Sequence, residues 1–168
     1  MYTIRQAIVS DAETIQKLAH QIWPSTYSSI ISQEQVNFML ADRYSAAVIA
    51  KQIEESIQTY LLLIEDDVPV AFAAYSPDDD PDVYRLHKLY LLPSTQGKGY
   101  GRAMLQAVAD RVIAAGKNKL DLNVHRQNPA KSFYDKMGFK VLYEIDIPFG
   151  PYFLNDYVMR KDLCENNL

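Results

Sequence analysis

The stretch that most limits how this chain can fold runs Leu89-Tyr90-Leu91-Leu92-Pro93-Ser94-Thr95-Gln96-Gly97-Lys98-Gly99-Tyr100-Gly101-Arg102. An apolar, strand-like run stops at a proline, passes through three alternating glycines and enters a segment with helical spacing. Such a loop presents successive main-chain N–H groups, unobstructed by side chains, at the positive end of a helix dipole. Lys98 and Arg102 add full charges, so the loop suits a diphosphate. Two familiar phosphate loops are excluded. Walker A needs a glycine directly before Lys-Ser or Lys-Thr, and Lys131-Ser132 follows Ala130. The dinucleotide fingerprint Gly-x-Gly-x-x-Gly fails in both registers, landing on Arg102 from Gly97 and on Met104 from Gly99.

Around this loop the pattern alternates between strand and helix periods. Tyr2 to Gln6 reads as a short strand. Ser10 and Asp11 can cap a helix with apolar positions Ala12, Ile15, Leu18, Ala19 and Ile22, with a bend or break expected at Pro24. Ser32 and Gln35 have capping-box form, and a third helix runs from about Ala46 to Ser56. Thr59 to Glu65 and Val68 to Ser76 read as a hairpin across Asp66-Asp67, its turn type undetermined. A strand from Val83 to Leu92 precedes the glycine loop, and a helix from Gly101 to Ala115 follows it. Then come a strand (Lys119 to Val124), a short helix (Pro129 to Met137) and closing strands (Lys140 to Ile147 and Asp156 to Arg160) across a loop with Gly150 and Pro151. That order predicts an α/β or α+β mixed sheet.

A length of 168 residues, with 48% hydrophobic and 23% charged side chains, fits one compact domain. The net charge of −4 argues against a broad nucleic-acid surface. Charge is unevenly placed: residues 1–82 carry 4 basic and 13 acidic side chains, residues 83–168 carry 13 and 8. The second half favours an anion, and the acidic first half either attracts a cationic partner or keeps its turns solvated. Cys164 is the only cysteine, so neither an intramolecular disulfide nor a CxxC metal or redox pair exists. No apolar run approaches a bilayer span and no leader is apparent, so the expectation is a soluble cytoplasmic protein with no membrane partner and no metal.

A second motif lies downstream: Leu120-Asp121-Leu122-Asn123-Val124, then Asn128-Pro129-Ala130, then Phe133-Tyr134-Asp135-Lys136-Met137-Gly138-Phe139. With Gln96-x-x-Gly99-x-Gly101 before it, this order resembles the GNAT superfamily of acyl-CoA-dependent N-acetyltransferases. The two motifs cover residues 83 to 139. Trp23-Pro24-Ser25-Thr26-Tyr27, Leu86-His87-Lys88-Leu89-Tyr90 and Asp156-Tyr157-Val158-Met159 are similar to the bacterial spermidine/spermine branch.

The resemblance implies a GNAT domain over residues 1–168: a mixed, largely antiparallel sheet, flanked by helices, whose one parallel strand pair splays apart to admit pantetheine. It implies acetyl-CoA as cofactor, with Leu89, Tyr90 and Leu91 lending main-chain groups to the arm. Gln96, Gly97, Lys98, Gly99, Tyr100, Gly101 and Arg102 would wrap the diphosphate, and Asn128 would make a further contact, although it stands two positions before Ala130 where many members place it three before. Acetyl would pass directly to a small-molecule primary amine in a ternary complex, the alternatives being a peptide or protein amine, or a binding module without turnover. Tyr134 matches the family's proton donor, or else packs beside Phe133 and Phe139. His87 occupies the slot where many relatives carry a glutamate base, and it is either that base or structural. Trp23, Tyr27 and Tyr75, with Phe149 and Tyr152, would hold alkylammonium groups or belong to the core. The sequence leaves a homodimer open.

Overall fold

The computed structural model describes residues 1–164. Its strands are β1 (Tyr2–Gln6), β2 (Thr59–Glu65), β3 (Val68–Pro77), β4 (Val83–Leu91), β5 (Lys119–His125), β6 (Lys140–Phe149) and β7 (Tyr152–Asp162). They form one sheet in the order β1-β2-β3-β4-β5-β7-β6. Every neighbouring pair is antiparallel except β4 and β5. Helices α1 (Ala12–Tyr27), α2 (Gln33–Arg43) and α3 (Ala46–Glu54) pack on one face, and α4 (Tyr100–Ala114) and α5 (Ala130–Lys136) on the other. This is the mixed α+β sheet that the element order predicts, and it is mostly antiparallel as the resemblance implies.

Both faces of the central strands are buried, which explains why β2 and β3 read as continuous apolar runs. Leu61 and Leu63 of β2 join Met104, Leu105, Val108 and Val112 of α4, while Tyr60 and Leu62 join Ile15, Ile22 and Ile49 of the helices opposite. Ser32 and Ser45 cap α2 and α3, their hydroxyls accepting from the Gln35 and Val48 amides at 3.1 and 3.2 Å. The β2–β3 turn carries Asp66 and Asp67 at φ +47° and +68°. Two left-handed residues make it a type I′ turn, whose twist matches a hairpin and which aspartate tolerates.

Three local expectations need correction. Helix α1 runs through Pro24 without ending there. The proline forfeits only the bond to the His20 carbonyl; burial of Trp23 and Tyr27 anchors the last turn, and the Ser25 and Thr26 hydroxyls donate to the Ile22 carbonyl at 2.9 and 3.0 Å. Asp11 does not cap α1 with its side chain. Its carboxylate accepts from the Ile8 amide at 2.7 Å and clamps Arg5 at 2.8 and 2.9 Å. The closing strands are longer than the apolar pattern predicts and meet at Gly150 and Pro151, because β6 is an exposed edge strand whose pairing with β7 does not require an apolar face.

Two irregularities position the site. On β3, Ala74 pairs with Lys88 and Tyr75 with Leu86, so His87 is an extra residue bulged out of β4. Leu86 therefore faces α4, while Lys88 and Tyr90 face the helices on the other side. The second is a parting of strands: β4 pairs with β5 from Val83↔Lys119 to Leu86↔Leu122 and no further.

Candidate active site

Beyond Leu86, the β5-facing edge of residues 87–91 has no strand partner. The gap opens into a cavity of about 930 Å³. Leu89, Tyr90 and Leu91 line it, as do Gln96, Gly97, Gly99, Tyr100, Gly101 and Arg102 at one end and Asn128, Phe133 and Tyr134 along the side. A cavity of that size, walled by apolar side chains and a few polar groups, is suited to an extended organic ligand.

The glycine loop adopts the conformation its composition allows. Gly97 and Gly99 stand at φ +84° and +79°, in the region where L side chains are strained. Gly99 caps α4, so the Tyr100, Gly101 and Arg102 amides in its first turn have no intrahelical acceptor. Among the described residues, no acceptor takes these amides or those of Gly97 and Gly99. Converging donors at a helix N-terminus, with the Arg102 cation on the same wall, form an anion cradle. Lys98 does not belong to it: its ammonium turns outward to Glu65 at 3.0 Å, and the Tyr100 hydroxyl donates to the same carboxylate. The Lys98 amide donates to the Thr95 carbonyl at 3.4 Å, so of these two residues only the Tyr100 amide is available to the loop.

Tyr134 projects from α5, between Phe133 and Phe139, with ring centroids 5.3 and 5.7 Å away. Its hydroxyl has no hydrogen-bond partner among the described residues, and the residue lines the cavity. Burial, reinforced by the Tyr27 phenol nearby, raises its pKa, so it is uncharged at neutral pH. Asn128 is committed within the chain: its Oδ1 accepts from the Ala130 amide at 2.9 Å and its Nδ2 donates to the Tyr27 hydroxyl at 3.4 Å. Tyr27 and Tyr90 share a hydroxyl contact of 3.1 Å, which ties the end of α1 to the parted strand.

A second cavity, about 710 Å³, meets the first at Leu86, His87, Lys88 and Asn123. His87 therefore stands where the two join. Its Nε2 lies 2.6 Å from the Ser76 hydroxyl oxygen. Although the residue is exposed to the cavities, the atoms crowding its ring and the Lys88 and Arg85 cations push its pKa below the ordinary value, so the imidazole is neutral near pH 7.

Trp23 and Tyr75, expected to face the amine, line neither cavity. Trp23 is buried against Tyr27, Tyr44 and Tyr90, and Tyr75 packs in the core beneath α4. Of the other aromatic candidates, Tyr27 lines the first cavity and Phe149 the second, while Tyr152 packs edge-on against Phe38 outside both. Two residues not singled out individually, Lys88 and Asn123, lie at the junction itself. A lysine inside an apolar strand was the available signal for the first.

The arrangement can hold an extended thioester in one cavity and a nucleophile in the other, meeting at the β4 bulge. Comparison with known proteins identifies what the chain is similar to. An uncharacterized N-acetyltransferase of Mycobacterium tuberculosis (strain ATCC 25618 / H37Rv) is 29% identical over 156 residues, 92% of this chain and 99% of that protein. The spermidine N(1)-acetyltransferase of Thermoplasma acidophilum is 29% identical over 143 residues, 82% of this chain and 88% of that protein. The crystal structure of the PaiA N-acetyltransferase from T. acidophilum in complex with coenzyme A superposes with a TM-score of 0.83 at 28% identity, covering 96% of this chain and 99% of that one. Residues 16–139 match the Acetyltransferase (GNAT) family, and the chain belongs to that family of acetyl-CoA-dependent N-acetyltransferases.

Proposed function

We propose that this enzyme transfers acetyl from acetyl-CoA to a primary amine that enters by the second cavity, with Tyr134 assisting the leaving sulfur and His87 receiving the amine's proton. The observation that carries this reading is the parting of β4 and β5 beyond Leu86 and Leu122, between the free loop amides and Tyr134. The diphosphate sits on the amides of Gly97, Gly99, Tyr100, Gly101 and Arg102. The pantetheine arm lies along Leu89–Leu91, whose unpaired edge supplies the hydrogen bonds a neighbouring strand would.

The reaction needs a neutral amine, a polarised carbonyl and stabilisation of the departing thiolate. The ammonium first sheds one proton to solvent, giving the free amine. Its nitrogen then forms a bond to the acetyl carbon as the C–S bond breaks, and the second proton it must lose to become an amide passes to His87, directly or through water. The sulfur leaves as thiolate beside the Tyr134 hydroxyl, which donates to it. Burial raises the phenol's pKa, so the hydroxyl keeps its own proton through neutral pH and stabilises the charge on sulfur, and solvent protons complete the thiol. The products are an N-acetyl amine, coenzyme A and one proton.

The polyamine class is supported by the name of the Thermoplasma relative alone. The positions of Trp23 and Tyr75 lend it nothing. A thiol-release screen with acetyl-CoA against polyamines, amino acids and peptides tests the function. Turnover of at least one primary amine is expected, and coenzyme A binding with no thiol release from any amine would leave a binding module.

A further inference from the structure

Every group around the second cavity can be sorted by whether its charge is already matched. Three cations line it, Arg43, Arg85 and Lys88, against two carboxylates, Asp42 and Asp156. Arg85 is matched: it pairs with Asp78 at 3.0 Å and also donates to Asn123. Arg43 is not. Its guanidinium lies 4.3 Å from the centre of the Phe149 ring, and among the described residues it has no carboxylate partner and no hydrogen-bond acceptor. Stacking on a ring face leaves the guanidinium N–H edges free to bind an anion.

Lys88 is the stronger anomaly. It is 6% exposed, and its ammonium meets only neutral oxygens: Gln52 Oε1 at 3.3 Å, Gln58 Oε1 at 3.2 Å and the Tyr60 hydroxyl. The rings of Tyr44 and Tyr60 lie about it at 5.1 and 4.9 Å. These contacts satisfy its donors and leave the charge of its protonated form unbalanced, a costly state inside a protein. Arg43's charge reaches Lys88, His87 and the Asp156 carboxylate, so the cations from α2 and β4 and the carboxylate from β7 act on one space.

The carboxylates are arranged differently. Asp42 is exposed. Asp156 is buried on β7, with Asn123 Nδ2 at 3.4 Å, and Asn123 lines both cavities. A carboxylate thus stands one side chain from the junction, while the unmatched arginine lies on the helix above it. A polyammonium chain would bring further positive charge beside Arg43 and Lys88, which repel it.

We propose that the amine substrate carries its own carboxylate, as free amino acids do, with its ammonium directed to Asp156 and the β4 bulge and its carboxylate bound by Arg43 within the field of Lys88. This rests on the second cavity being the amine's entrance. It names a substrate class different from the one suggested by the polyamine relative.

The test measures thiol release at saturating acetyl-CoA for matched amines: alanine against alaninamide, lysine against cadaverine, and spermidine alone. The carboxylate-bearing member of each pair is expected to show kcat/KM about tenfold or more above its partner, the size of a charge-assisted hydrogen bond. Arg43→Gln should collapse that ratio by raising KM for the acid member, and Arg43→Lys should restore part of it. Equal or better use of alaninamide, cadaverine or spermidine would overturn the proposal while leaving acetyl transfer intact. So would a ratio that survives in Arg43→Gln. Coenzyme A binding with no thiol release from any of these amines would overturn both readings together.

Discussion

A β carbon placed on Gly101 would stand 3.3 Å from Cζ of Phe133. The glycine loop and the helix bearing Tyr134 therefore pack closely, and the anion cradle adjoins the proposed hydrogen-bond donor to the sulfur. Gly101→Ala should push the Phe133 ring by a few tenths of an ångström toward the cavity, at about 1 kcal/mol, so the Kd for coenzyme A should rise about fivefold. Adding Phe133→Leu should recover most of the loss. Calorimetric titration of the three proteins checks this, and an unchanged Kd in Gly101→Ala would mean that the contact does not shape the site.

Tyr134→Phe keeps the ring between Phe133 and Phe139 and removes only the hydroxyl. The expected result is a kcat lower by about 10²-fold, with coenzyme A affinity and Tm close to wild type. Full activity in this variant would remove the leaving-group role.

His87 is neutral over the working range because its crowded position and its cationic neighbours lower its pKa. The pH–rate profile should therefore show no break near 6.5 and should rise with deprotonation of the amine. His87→Ala should lower kcat across that range without moving the amine-dependent rise, and an unchanged kcat would count against its role as base.

Lys88 carries a sharper dependence in stability. Burial, with Arg43 nearby, lowers its pKa to about 7 from an ordinary lysine value of 10.5. Below about 7 both folded and unfolded states hold the proton, so the full cost of the buried charge is present. Between that pH and 10.5 the unfolded chain binds more protons than the folded one, so unfolding free energy rises with pH and the cost disappears. Lys88→Met should thus stabilise the protein by about 2–4 kcal/mol at pH 6.5, a gain that shrinks toward pH 10. Urea unfolding of both proteins across that range measures it, and a gain independent of pH would show that the lysine is not the source.

Much of this site is written locally in the chain. A glycine at positive φ, a proline ending a strand and a helix start are decided within a few residues, so the loop from Gln96 to Arg102 and the segment around Tyr134 are legible before folding. Side-chain direction is not: Lys98 looks like a phosphate ligand, yet Glu65, 33 residues away, holds it outward. The bulge at His87 depends on register with β3, and it is this bulge that turns Lys88 to the face opposite Leu86. Aromatic residues carry no mark of core or pocket, so Trp23 and Tyr75 could be placed only by tertiary packing.

The most direct measurement is a crystal structure with acetyl-CoA bound. The prediction is diphosphate oxygens within hydrogen-bond distance of the amides of Gly97, Gly99, Tyr100, Gly101 and Arg102, with the pantetheine arm between residues 87–91 and β5 and the thioester reaching His87. Density for the cofactor elsewhere, or β4 and β5 paired along their whole length, would contradict it.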